Sequence, residues 1–112
     1  MNVSETLVLC HINDIAEGAS KSIQIGELNL FAVKKHNKIY LYQNQCPHAG
    51  LPLNWFPDKF LDRDNELIQC SAHGALFQIE TGRCVAGPCP GRHLKSLDYV
   101  ISEDDQLILK KN

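Results

Sequence analysis

The middle of this chain carries two short Cys/His pairs, Cys46-Pro47-His48 and Cys70-Ser71-Ala72-His73, which constrain the fold more than any other feature. Each pair sets a thiol and an imidazole at close spacing, with a glycine just beyond it (Gly50 and Gly74). Glycine there permits a tight turn and lets backbone N–H groups come close to a ligand. One such pair is a weak sign of a metal site. Two of them, with 21 residues between His48 and Cys70, are a strong one. Residues 46–93 hold four of the five cysteines, all five prolines and five of the seven glycines. So loop-rich a stretch has few periodic apolar positions to offset the entropy of ordering it. A bound metal centre is expected to supply that order.

The flanking segments read as short strands. Thr6–Ile12 has recurrent apolar residues with loose alternation, as on a strand covered on two sides. Lys21–Ile25 alternates and puts Ile23 and Ile25 on one face. Leu28–Lys34 and Lys38–Tyr42 flank Lys35-His36-Asn37 as a hairpin loop. Leu97–Ser102 and Gln106–Lys110 flank Glu103-Asp104-Asp105 in the same way. Thr81-Gly82-Arg83 marks a third hairpin tip, between Leu76–Glu80 and Cys84–Ala86. Asn13–Ser20 has turn chemistry and room for one helical turn. No 3.6-residue apolar pattern persists over three turns, so the expected class is all-β, a small antiparallel sandwich or barrel.

Composition narrows the function. At 112 residues the chain is expected to be one domain. Its 13 acids against 11 bases leave no basic excess for nucleic acid. No apolar run is long enough for a membrane span, and Met1–Cys10 lacks the charged and apolar regions of a signal peptide. A cytoplasmic location is therefore expected, where disulfides are rare and clustered Cys and His bind metal. Tetrahedral zinc suits a set of two Cys and two His. Zinc fingers, however, pair Cys with Cys and then His with His, whereas here the two types alternate.

The C-x-H and C-x-x-H boxes, the Gly87-Pro88-Cys89-Pro90 segment and the all-β surroundings together resemble the Rieske iron–sulfur family. The resemblance spans the whole chain. It implies a single Rieske domain over residues 1–112, with a base of 1–44 and 94–112 and a loop-rich cluster-binding subdomain of about 45–93. It implies one [2Fe–2S] cluster per chain, with Cys46 and Cys70 on one iron and His48 and His73 on the other. Neutral imidazole in place of thiolate leaves the cluster less negative, so it accepts an electron more readily. The His48 and His73 rings are expected at loop tips, partly exposed and able to titrate.

Departures from the respiratory branch of the family are informative. Leu51 and Ala72 stand where that branch forms a disulfide, and Ala75 and Phe77 stand where its Ser and Tyr hydroxyls bond cluster sulfur. With no donor at either position, the reduced state is less stabilised. The expected potential lies near about −150 mV rather than the +300 mV end of the Rieske range.

The resemblance implies a one-electron carrier, not a stand-alone enzyme. It would take electrons from a reductase, an NAD(P)H-dependent flavoprotein, and pass them to a terminal oxygenase or another reductase. No paired-carboxylate motif and no nucleotide-binding glycine loop provide a second active site. One alternative is a small subunit of a larger reductase, similar to that of assimilatory nitrite reductase. The four intact ligands favour an independent cluster protein over that reading. A zinc-stabilised interaction module is the third reading.

The remaining residues of these types have simpler expectations. Cys10 and Cys84 read as structural thiols on strands, and Cys89 as a packing residue rather than a spare ligand. Gly87, Pro88 and Pro90 are expected to shape a stiff cover over the cluster. His11, His36 and His93 read as surface histidines. Trp55 and Phe56 are expected to pack over the cluster loops rather than form a docking patch. Asp58, Asp62, Asp64 and Glu66 read as a solvated loop rather than a steering surface.

Overall fold

The run Leu30-Phe31-Ala32-Val33 is buried at every position, so its strand has a core on each face. The computed structural model describes residues 6–47, 52–54, 56, 58–71, 74–87 and 91–110. Among these lie nine strands: β1 (Thr6–His11), β2 (Ser20–Ile25), β3 (Leu28–Lys35), β4 (Lys38–Gln43), β5 (Leu67–Gln69), β6 (Leu76–Gln78), β7 (Cys84–Ala86), β8 (Tyr99–Ile101) and β9 (Gln106–Lys110). They form three antiparallel sheets, in the orders β1-β9-β8, β2-β3-β4 and β5-β6-β7. The all-β antiparallel expectation holds.

The β2-β3-β4 sheet has a core on each face, and its pairing shows how. Phe31 opposes Tyr42 and Val33 opposes Tyr40, so these side chains share one face. Ala32 opposes Leu41 on the other face. The Phe31 face packs with Leu53, Phe60, Ile68 and Phe77. The Ala32 face packs with Ile15, Ile23, Ile39 and Leu107.

Two-residue turn chemistry fixes the central hairpin. His36 and Asn37 have φ of 54° and 61°, as a type I′ turn demands. Lys35 pairs with Lys38, so the loop is one residue shorter than the sequence suggests. The Glu17 carboxylate accepts the backbone N–H groups of His36 (2.6 Å) and Asn37 (3.0 Å). Those bonds hold its pKa below the ordinary carboxylate value. The last hairpin is also present, but its first strand begins at Tyr99 rather than Leu97. Residues 95–97 are drawn onto the edge of β4 instead: Gln43 N–H donates to the Lys95 carbonyl, and Leu97 N–H to the Leu41 carbonyl.

The middle stretch differs from expectation. Leu53, Phe60, Ile68, Ala75, Phe77 and Ile79 are all fully buried, so it does possess apolar anchors. Phe60 stacks on Phe31 with centroids 4.3 Å apart and planes 6° apart. Ala75, Phe77 and Ile79 alternate along β6 and its flanks, but Leu53, Phe60 and Ile68 lie far apart along the chain, which hides them from pattern reading. The short strand β5 was hidden too, because three residues are too few to alternate visibly. Asp58, at φ 62°, covers the open edge of β2. Its carboxylate accepts Ser22 N–H at 2.6 Å and its carbonyl accepts the Ser20 hydroxyl at 2.9 Å. Asp62 accepts the N–H groups of Glu66 and Leu67, and Glu66 lies 3.4 Å from Lys35. Asp58, Asp62 and Glu66 thus build turns and anchor them to the sheet, beyond the solvated role expected of them.

Tyr42 ties the central sheet to the β5-β6-β7 region. Its hydroxyl donates to the Ile79 carbonyl at 2.6 Å, and burial pushes its pKa up to about 12. Because the folded pKa lies above the unfolded one, this stability is complete below about pH 10 and is lost as pH rises towards 12. Tyr42→Phe is expected to lower stability at neutral pH by about 1–3 kcal/mol, since the Ile79 carbonyl loses its donor. The variant should also lose part of the alkaline fall in stability, as urea titrations at pH 7 and pH 11 would show.

Candidate metal centre

The first Cys/His pair follows β4 directly, and the second follows β5. Cys46 and Cys70 are each 1% exposed and belong to one apolar cluster with Leu53, Phe60, Phe77 and Cys84. Cys70 and Ser71 open the turn between β5 and β6. Cys70 N–H donates to the Ala75 carbonyl, and Gly74 N–H returns to the Cys70 carbonyl, both at 2.8 Å. Gly74 has φ of 70°, a conformation that favours glycine and closes the turn.

A hydrogen-bond chain links the two pairs. Asn44 is the one buried polar residue among those described, at 5% exposure. Its Oδ1 accepts Leu53 N–H at 2.8 Å, and the Leu53 carbonyl accepts Ser71 N–H at 2.7 Å. The Asn44 Nδ2 donates to Oδ1 of Asn54 (2.9 Å) and of Asn29 (3.3 Å). Asn44, two residues before Cys46, is therefore connected through Leu53 to the residue after Cys70. Sequence reading missed Asn44, because an asparagine at a strand end looks like an ordinary turn residue. Asn44→Ala is expected to cost about 1–3 kcal/mol by leaving the Leu53 N–H buried without its acceptor. Chemical denaturation would measure that loss.

Gly87, just after β7, approaches Ala75, whose carbonyl accepts the Cys70 N–H. A Cβ built on Gly87 would lie 2.7 Å from the Ala75 Cα, so only glycine permits this approach. Gly87 thus packs directly on the backbone of Ala75. Pro88, Cys89 and Pro90 lie outside the described residues. So do His48, His73, Leu51, Ala72 and Trp55, with the expectations placed on them.

Phe56 does not pack over the loops; it is 66% exposed, because the chain turns its backbone rather than its ring towards Asn54 and Lys59. Cys84 is buried, with Sγ 3.2 Å from the Ala86 carbonyl. Burial pushes the Cys10 thiol up in pKa, aided by the charge of Asp14, which disfavours a reactive thiolate. His11 is more than a surface residue: its Nδ1 accepts Asn13 N–H and its own N–H donates to Asp14, capping a 3₁₀ turn over Ile12–Asp14. His36 and His93 are exposed, as expected.

Residues 5–101 match the Rieske [2Fe-2S] domain. The chain belongs to the Rieske family. The family's cofactor is one [2Fe–2S] cluster, and the donor chemistry fits it. Two thiols from separate loops, both shielded from water in one apolar cluster, meet its need for soft anionic ligands. When bound, the cluster supplies one-electron redox chemistry.

Among relatives of this Rieske chain is human apoptosis-inducing factor 3, 31% identical over 74 residues, which cover 66% of the chain and 11% of that protein. Another is the ferredoxin component of the alkene monooxygenase system of Xanthobacter autotrophicus, 29% identical over 79 residues, 70% of this chain and 62% of that one. The chain therefore spans only part of each. The solved Sphingomonas yanoikuyae B1 ferredoxin shares the fold, with a TM-score of 0.75 at 23% identity over 96% of this chain and 99% of that one. Among the described residues, no helix is long and apolar enough to cross a membrane.

Proposed function

We propose that this Rieske chain is a one-electron carrier whose cluster is held by Cys46 and Cys70 on one iron and by His48 and His73 on the other. The observation that carries the reading is the burial of Cys46 and Cys70 in a single apolar cluster, from two loops joined through Leu53. The electron donor is a reductase, an NAD(P)H-dependent flavoprotein. The acceptor is a terminal oxygenase, as the kinship with a monooxygenase ferredoxin component suggests. The working location is the cytoplasm. Residues 1–112 act as one domain, with a base of 1–44 and 94–112 and a cluster-binding region of about 45–93.

The chain's own residues keep the site dry and the potential low. Ala75 and Phe77 are fully buried beside the second pair, and neither side chain can donate to sulfur. Reduced with dithionite, the protein is expected to give the EPR signal of a Cys/His-ligated [2Fe–2S] cluster. Film voltammetry is expected to place its midpoint near about −150 mV. A colourless protein holding zinc and no labile sulfide would overturn the reading. A midpoint above about +150 mV would overturn the role given to Ala75 and Phe77.

A further inference from the structure

Segment 91–97 lies between the β6-β7 hairpin and β4 and bonds to both. On one side Cys84 N–H donates to the Arg92 carbonyl at 2.7 Å, Arg83 bridges His93, and Leu94 N–H donates to the Gly82 carbonyl. On the other, Gln43 N–H donates to the Lys95 carbonyl and Ser96 bridges Tyr42. The Arg92 side chain crosses to the first Cys/His pair, where its guanidinium donates to the Pro47 carbonyl at 3.0 Å. Pro47 is the residue between Cys46 and His48. His93 and Lys95 stand beside it, lining a cavity of about 340 Å³ with Gln43, Gln45, Cys46 and Pro47, and among the described residues no carboxylate lines that cavity. Arg92 thus brings a permanent positive charge to the backbone of the first pair, and its own backbone is fixed by β7.

From this geometry we infer that Arg92 is a positioning residue that sets the redox potential: it grips the loop between Cys46 and His48 and favours the more negative, reduced cluster by its charge. The inference rests on the ligand assignment under Proposed function. One-electron reduction, by the reductase of that scheme, adds one negative charge to the site. A fixed cation nearby lowers the free energy of the reduced state more than that of the oxidised state. The guanidinium is exposed, so the effect is partly screened by water and salt.

The test compares Arg92→Gln, Arg92→Lys and the control Arg63→Gln, a cation on the turn before β5. Each is read by iron content, EPR and film voltammetry at low and high salt. Arg92→Gln is expected to lower the midpoint so that the reduced-to-oxidised ratio at the parent's midpoint falls about threefold to tenfold, tenfold being about 59 mV for one electron. Arg92→Lys keeps the charge and is expected to stay close to the parent, as is Arg63→Gln. High salt should narrow the gap between Arg92→Gln and the parent. An unshifted Arg92→Gln with a normal Rieske signal overturns the inference and leaves the carrier reading intact. Equal shifts in Arg92→Lys and Arg92→Gln, or an equal shift in Arg63→Gln, also overturn it. A parent protein without the Rieske signal overturns the carrier reading, and the inference with it.

Discussion

In Cys46→Ser, bound iron and acid-labile sulfide are expected to fall to background, and the dithionite-reduced protein to lose its EPR signal. Thiolate, not thiol, is the metal ligand, and serine offers only a hard, weakly acidic oxygen in its place. The consequence extends to stability. Position 46 is 1% exposed inside an apolar cluster, so a serine hydroxyl there adds an unpaired buried polar group costing about 1–3 kcal/mol. The folding energy linked to the cluster is lost as well. Cys10→Ser is the contrasting variant: half-buried on β1 in the other core, it should retain full iron content. Iron and sulfide assays with thermal unfolding of both variants check the pair. Full iron in Cys46→Ser would remove Cys46 from the ligand set.

Phe60→Ala is expected to destabilise the protein by about 3–5 kcal/mol, as removal of a fully buried aromatic does when the site cannot collapse. Stabilities of such domains total only about 5–15 kcal/mol, so the loss is a large fraction of the whole. Phe60 is fully buried and stacked on Phe31, and it anchors the stretch between the two Cys/His pairs to the central sheet. Its loss should therefore also slow recovery of the cluster after iron removal, because that stretch no longer holds the two loops in register. Urea titration gives the first quantity. Reconstitution with iron and sulfide, followed by absorbance, gives the second. A stability loss below about 1 kcal/mol, typical of an exposed position, would contradict the anchoring role.

What the sequence made legible divides along physical lines. β3 and β4 were readable because Leu28–Lys35 and Lys38–Gln43 are dense in β-branched and aromatic residues bounded by turn chemistry. The hairpin between β6 and β7 was readable from Gly82. Leu53, Phe60 and Ile68 were not, since anchors seven and eight residues apart, separated by turn and charged residues, show neither a strand nor a helix period. β5 was missed because three residues are too few to alternate visibly. The two boxes were evident from residue type and spacing alone. Asn44 and Arg92 were not, because what distinguishes them is a bond to a distant backbone atom, which neither composition nor periodicity encodes.

The doubly covered central sheet also limits how the protein can be dissected. Phe31, Val33 and Tyr42 form the wall against which Phe60, Ile68 and Phe77 pack, yet they lie on β3 and β4, before the first Cys/His pair. A peptide comprising only residues 45–93 would leave those aromatic and aliphatic groups facing water. Transplanting the two Cys/His loops onto another scaffold therefore requires carrying β3 and β4 with them.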